Sequence, residues 1–191
     1  AHYVLDGEFA DVLLVVARSG GQTTLHEVAA DADGVTRTPL PLMDPTRALA
    51  SVTFDETPST VIAAPADLVD RLLAVGAVAL SAEQVGVAAG ALQRTVAHTS
   101  TRTQFGRPVG SFQALKHRMA DMFAAVETAR SVSYDAADAL VRRTLDVDEA
   151  VAAARMLCSE TVTAVAGEAV QMHGGIGITW EHDIQLFFKR A

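Results

Sequence analysis

Arg102-Thr103-Gln104-Phe105-Gly106-Arg107-Pro108-Val109-Gly110-Ser111-Phe112-Gln113-Ala114-Leu115-Lys116-His117 is the stretch on which the reading turns. It sets a cation, amides, aromatics and a Gly/Pro break between two long helical patterns. Before it, Leu68, Leu72, Val75, Ala79 and Ala82 share one stripe, continued by Val85, Ala89, Leu92 and Val96. After it, Phe112, Leu115, Met119, Met122, Phe123, Val126, Ala129, Val132, Ala136 and Leu140 make a second stripe, predicting a helix over 111–143. At 1.5 Å per residue that helix is roughly 50 Å long.

A third helix is expected from Val147 to Met172, stopped by Gly174-Gly175, and a fourth begins at Ile184. No proline follows Pro108, so long unbroken helices are permitted there. Helices of this length on short loops make an antiparallel bundle. Residues 66–191 are therefore expected to form an all-α four-helix bundle.

Residues 1–63 read differently. His2-Tyr3-Val4-Leu5 leads to an Asp6-Gly7 turn. Asp11–Ala17 is a continuous apolar strand ended by Gly20-Gly21. Thr24–Val28 and Ala48–Phe54 alternate with period 2. The fold class is α+β, a partial antiparallel β-domain followed by the bundle. The region opens with no cap or leader, so the chain is expected to begin inside a domain.

Composition narrows the function. The net charge of −8 opposes general nucleic-acid binding, which needs a basic face. The single cysteine, Cys158, excludes an internal disulfide framework, fits a reducing cytoplasm and reads as a core thiol. No apolar run is expected to reach the length of a membrane span. His117, His173 and His182 lack zinc-type spacing and cysteine companions, so no metal site is expected. Glu83, with Ser81 and Gln84, reads as a polar patch at a subunit contact rather than as a catalytic group.

Arg102 has two readings. It is either a helix C-terminal arginine satisfying carbonyls or a permanent planar cation for a pyrophosphate. Gln104, Phe105 and Gln113 at the same corner, and the start of the second helix, favour the latter. Gly174-Gly175-Ile176-Gly177 is either a plain helix stop or a backbone stripped for close approach to a large ligand. In the latter reading Gln171 supplies amide hydrogen bonds one turn earlier.

With Gln171-Met172-His173-Gly174-Gly175-Ile176-Gly177-Ile178-Thr179-Trp180-Glu181, these residues resemble the two C-terminal signatures of the acyl-CoA dehydrogenase family. The likeness covers nearly the whole chain. Tyr3–Gly7 with Ala10-Asp11 resembles the middle β-domain strand beside the flavin, and Asp44–Arg47 with Val52–Phe54 resembles the end of that domain. The resemblance implies FAD-dependent α,β-dehydrogenation of an acyl-CoA thioester and an electron-transfer partner. It implies FAD contacts from Arg102, Gln104, Phe105 and Gln113, closure by Gln171, Gly174 and Gly175 across a dimer interface, and Tyr3 and Leu5 near the isoalloxazine. The segments 104–113 and Thr179–Asp183 are similar to an actinobacterial branch of heterotetramers in which some subunits lack the base.

The family's catalytic glutamate has no counterpart here. Gly76 falls at one of its two positions, and Ala191 comes before the other. The family implies a homo- or hetero-oligomer, a dimer of dimers, and the alternatives are a non-catalytic subunit completing a partner's FAD site or an acyl-CoA oxidase-like flavoenzyme. The chain by itself is expected to be inactive.

Overall fold

A computed structural model describes residues 1–19, 21–62 and 65–191. Two compact units result, Ala1–Arg71 and Leu72–Ala191.

The first unit holds β1 (Val4–Leu5), β2 (Val12–Ser19), β3 (Gln22–Ala29), β4 (Val35–Pro39), β5 (Leu49–Phe54) and β6 (Thr60–Ile62). They form two three-stranded antiparallel sheets, ordered β1-β5-β4 and β2-β3-β6. The four strands expected from sequence are all present. The Asp6-Gly7 turn is there too, with Asp6 at φ 52° and the Gly7 N–H donating to the Val4 carbonyl at 3.2 Å. Arg37 fastens that turn by donating to the Glu8 and Ala10 carbonyls at 2.8 and 3.0 Å.

β4 and β6 were not foreseen. Val-Thr-Arg-Thr-Pro has no apolar alternation, and Pro39 argues against a strand interior. Gly34 makes the approach to β4 possible: at φ +83°, a Cβ there would lie 1.9 Å from the Asp55 carbonyl oxygen. Only glycine fits. Leu13, Val28, Ala30 and Val52 form the core of this unit. β2 reads as one apolar run, yet of its apolar residues only Leu13 is buried, while Val12, Leu14 and Val16 are exposed. Of the Gly20-Gly21 stop, Gly20 lies outside the described residues, as do 63 and 64 at the expected domain boundary.

The helices are α1 (Leu68–Thr101), α2 (Gln113–Arg142), α3 (Val147–His173) and α4 (Ile184–Arg190). A short hairpin of β7 (Thr103–Gln104) and β8 (Arg107–Pro108) and a 3-10 turn at Val109–Ser111 separate α1 from α2. That turn takes the residues expected to open the second helix, so α2 starts at Gln113. Pro108 is held extended, and Gly110 sits so close to α1 that a Cβ would stand 3.0 Å from the Thr99 carbonyl oxygen. α2 ends at Arg143, which takes a left-handed conformation and returns its N–H to the Ala139 carbonyl.

The shared core brings together Ala88, Ala91 and Leu92 of α1, Met122 and Val126 of α2, Val162, Val165, Ala169 and Met172 of α3, and Ile184 of α4. Cys158 is buried against Val85 and Ala129, as a core thiol should be, and burial pushes its pKa up. The expected α2 stripe fails at one large residue and gains a polar one from outside it. Phe123 is exposed, and Ser133 is buried on that side of α2. Over 30 residues the packed face drifts past the large side chains.

Glu83 accepts from Arg190 at 2.9 Å and ties α1 to α4. Its sequence neighbours go elsewhere. Ser81 is fully buried and returns its hydroxyl to the Ala77 carbonyl, while Gln84 bonds Ser159 and Arg155. The three therefore do not make one polar patch. α1 also corrects the expectation about apolar length: by length and composition alone it could cross a membrane. Its second half is packed in the bundle core, whereas Leu72, Leu73 and Val75 in its first turns are exposed.

Ile184 is fully buried and is the main anchor of α4. Ile184→Ala should destabilise the chain by about 2–5 kcal/mol, the range for a large-to-small core change. Urea unfolding measures it, and a loss below about 0.5 kcal/mol, the level of a surface substitution, would mean that α4 is not part of the core.

Candidate functional site

The hairpin after α1 turns in two residues. Phe105 (φ 53°) and Gly106 (φ 76°) both take positive φ, and Gln104 pairs with Arg107 across them. That is the geometry of a type I′ turn, which tolerates glycine well and a bulky residue poorly. The strained residue is Phe105, and its ring is 90% exposed at the tip. Phe112 braces it edge-on at 6.2 Å, and the Arg107 guanidinium lies 4.0 Å above the Phe112 ring. The sequence thus holds an aromatic ring out from the bundle on a short, supported stalk.

Beside the hairpin runs a groove of about 610 Å³, lined by Arg102, Gln104, Phe105, Gln171, Gly174 and Gly175 among others. Six of the residues picked from sequence therefore share one cavity. Arg102 is exposed and enters no ion pair among the described residues. Gln104 folds its amide onto the Thr103 carbonyl at 2.9 Å. α3 ends at Gly174, whose φ of +66° and ψ of −147° suit glycine alone. Neither Gly174 nor Gly175 would meet any atom within 4 Å of an added Cβ, so the groove wall there is bare backbone facing open space.

Gln113 is exposed at the start of α2 but does not line the groove, where its neighbours Phe112 and Ala114 do. Tyr3 and Leu5 belong to the first unit. Both are exposed at β1, Tyr3 with φ 59°, and Leu5 pairs with Leu49.

Sequence reasoning missed His98 and Arg118, which line the groove with His173 and Met172. His98 stands four residues before Arg102, which follows the end of α1 and donates its N–H to the His98 carbonyl at 2.9 Å. That spacing was readable. Arg118 is ion-paired with Glu168 of α3.

His98 and His173 stack with ring centroids 4.3 Å apart, and His182 lies 4.6 Å from His173. Burial first, then the charges of His173, His182 and Arg102, hold His98 below the usual imidazole range. Burial also lowers His173, against the opposing pull of its bond to the Ala169 carbonyl.

The family whose profile is described as "Acyl-CoA dehydrogenase, C-terminal domain" matches residues 66–191. This chain belongs to the acyl-CoA dehydrogenase family. It is 44% identical to acyl-CoA dehydrogenase IpdE2 of Mycolicibacterium smegmatis, over 99% of this chain and 54% of that protein. Among solved structures, a steroid ACAD described as Tcur3481-Tcur3483 matches 95% of this chain and 49% of its own, at 33% identity and a TM-score of 0.84. The ChsE4-ChsE5 complex of Mycobacterium tuberculosis matches 99% and 52%, at 29% identity and a TM-score of 0.87. The chain thus spans about half the length of these three relatives. The acyl-CoA dehydrogenase fold expected from sequence is the one found, a few antiparallel strands and the helical bundle.

The lowered histidines set a pH dependence. The unfolded chain takes up protons on these rings near pH 6.5, whereas the folded chain resists until lower pH. Their contribution is therefore absent above about pH 6.5 and destabilising as pH falls below it. His98→Gln should flatten the decline of melting temperature between about pH 6.5 and 5. Superimposable slopes for the two proteins would contradict this assignment.

Proposed function

We propose that this chain supplies part of an FAD site in an enzyme that introduces an α,β double bond into an acyl-CoA thioester. The observation that carries this is the groove in which Arg102, Gln104, Phe105, Gln171, Gly174 and Gly175 converge. Its chemistry fits the nucleotide–diphosphate half of the cofactor. Arg102, in no ion pair among the described residues, offers a planar cation for the pyrophosphate. Phe105 offers an exposed aromatic face to a ring system. Gly174 and Gly175 let a bulky ligand come against the backbone. The Gln104 and Gln171 amides are placed to orient it. Gln113, Tyr3 and Leu5 stay within the proposal on the strength of the family likeness. When bound, the flavin supplies the hydride acceptor, and the protein's part is binding, orientation and exclusion of water.

A second reading is that the chain completes a partner's site and performs no proton abstraction. It is favoured by the carboxylates. Gly76 stands in open space with no acid, and Glu83 is engaged by Arg190. A general base must reach the α-proton. The exposed apolar residues Leu72, Leu73 and Val75 of α1, and Phe123 and Val141 of α2, support an oligomer, homo- or heteromeric. An acyl-CoA substrate, an electron-transfer partner and a cytoplasmic setting complete the proposal, with an acyl-CoA oxidase activity as its alternative.

Arg102→Ala should weaken FAD binding by about 1.5–3 kcal/mol, the range for hydrogen bonds to a charged group. Fluorescence titration of the purified chain and of its co-expressed complexes measures it, and an unchanged Kd refutes the seat. Anaerobic flavin bleaching by an acyl-CoA panel then separates the two readings. Bleaching by the chain alone that disappears in Glu83→Gln would make Glu83 the base. Oxygen uptake with an acyl-CoA would point to an oxidase.

A further inference from the structure

Three histidines from three different elements meet at the end of the groove: His98 on the last turn of α1, His173 closing α3, and His182 just before α4. From each, one ring nitrogen lies within 4.8 Å of the others. We propose that His98, His173 and His182 form a binding site for a divalent transition-metal ion of the zinc type, separate from any role in holding a nucleotide.

The hydrogen bonds fix which nitrogens are available. His173 Nδ1 donates to the Ala169 carbonyl at 2.7 Å, so that nitrogen carries the proton. Its Nε2 is then a bare lone pair. It is buried and has no hydrogen-bond partner among the described residues. Buried polar atoms are rarely left so. A metal-ligating imidazole usually donates its second N–H to a carbonyl or a carboxylate, and His173 already does.

His182 has the matching arrangement with a carboxylate. Its Nδ1 lies 3.5 Å from Asp183 Oδ1 and accepts from the Ile184 N–H at 3.1 Å. Ligation through Nε2 moves the ring proton to Nδ1. The Ile184 contact is given up, and Asp183 becomes the acceptor. Asp183 is itself held by Arg94 at 2.9 Å. Arg102 is the charge that opposes a cation here, and it acts on His98.

An ion about 2.0–2.1 Å from each nitrogen needs them roughly 3.4 Å apart, so the rings close by about 1 Å or a little more. Imidazoles alone favour zinc, copper, nickel or cobalt over magnesium or calcium. His98 and His173 both line the groove, which leaves the fourth position open to water or to a phosphate oxygen.

The test uses the full chain stripped with a chelator and titrated with ZnCl2 by calorimetry, and with CoCl2 by visible absorption. One ion per chain and the intense bands of tetrahedral cobalt are expected. His98→Gln and His182→Gln should each weaken zinc binding at least tenfold, and Asp183→Asn about 10–100-fold, the range for an outer-shell partner. His117→Gln, outside the cluster, should change nothing. No saturable binding, or no cobalt bands, in the unsubstituted chain overturns the proposal whether or not the variants fold. So does binding that survives in both histidine variants. Because no flavin is present, the result is independent of the FAD reading.

Discussion

Small side chains set the distance between the helices, and the site depends on that distance. Ala88 and Ala91 of α1, Ala129 and Ala136 of α2, and Ala154, Ala166 and Ala169 of α3 are all fully buried. Interaxial separation depends on the residues at the contact, and alanine permits the close end of the range. α2 and α3 make the close helix pair, and His98 at the end of α1 stacks on His173 at the end of α3, both lining the groove. A phenylalanine in place of any of these alanines would spread the helix ends that carry the chemistry. The alanine-rich composition and the site are one fact seen at two scales.

Polar groups confirm the same economy. Thr95 and Thr99 are fully buried on α1, and each returns its hydroxyl to the carbonyl four residues back. Such back-bonding satisfies a buried hydroxyl without a partner helix, and often bends the helix that hosts it. Gly110 then approaches the Thr99 carbonyl. The 3-10 turn and the start of α2 are positioned by the last turn of α1 rather than by a capping side chain, since Phe112 supplies none.

Much of this was legible in the sequence. Helices α1 to α4 follow from apolar periodicity and from the absence of proline after Pro108, and Gly174 stops α3 as a glycine with positive φ should. The groove residues were legible through their company and their likeness to two family signatures, since Arg102 or the glycines alone read equally as a helix end. Strand β4 was hidden because its pairing with β5 is non-local and its sequence is polar. The exposed position of Phe123 was hidden because a helix of thirty residues drifts relative to any strict repeat. The histidine cluster was hidden for a topological reason. Its members are 75 and 9 residues apart, spacings that no local motif encodes and that only the packing of α1 against the end of α3 brings together. His117, grouped with His173 and His182 on sequence, has its place taken by His98.

Phe105 has a consequence for evolution. A bulky residue with positive φ and a ring almost wholly in water gives nothing to folding, and its backbone costs of order 1–3 kcal/mol. The isolated chain would be more stable with glycine or asparagine at that position. Selection for stability alone would therefore erase the ring, as it erodes strained functional positions generally. A laboratory lineage evolved only to resist heat should lose this phenylalanine early, and the residue records a demand that arises outside the folded chain itself.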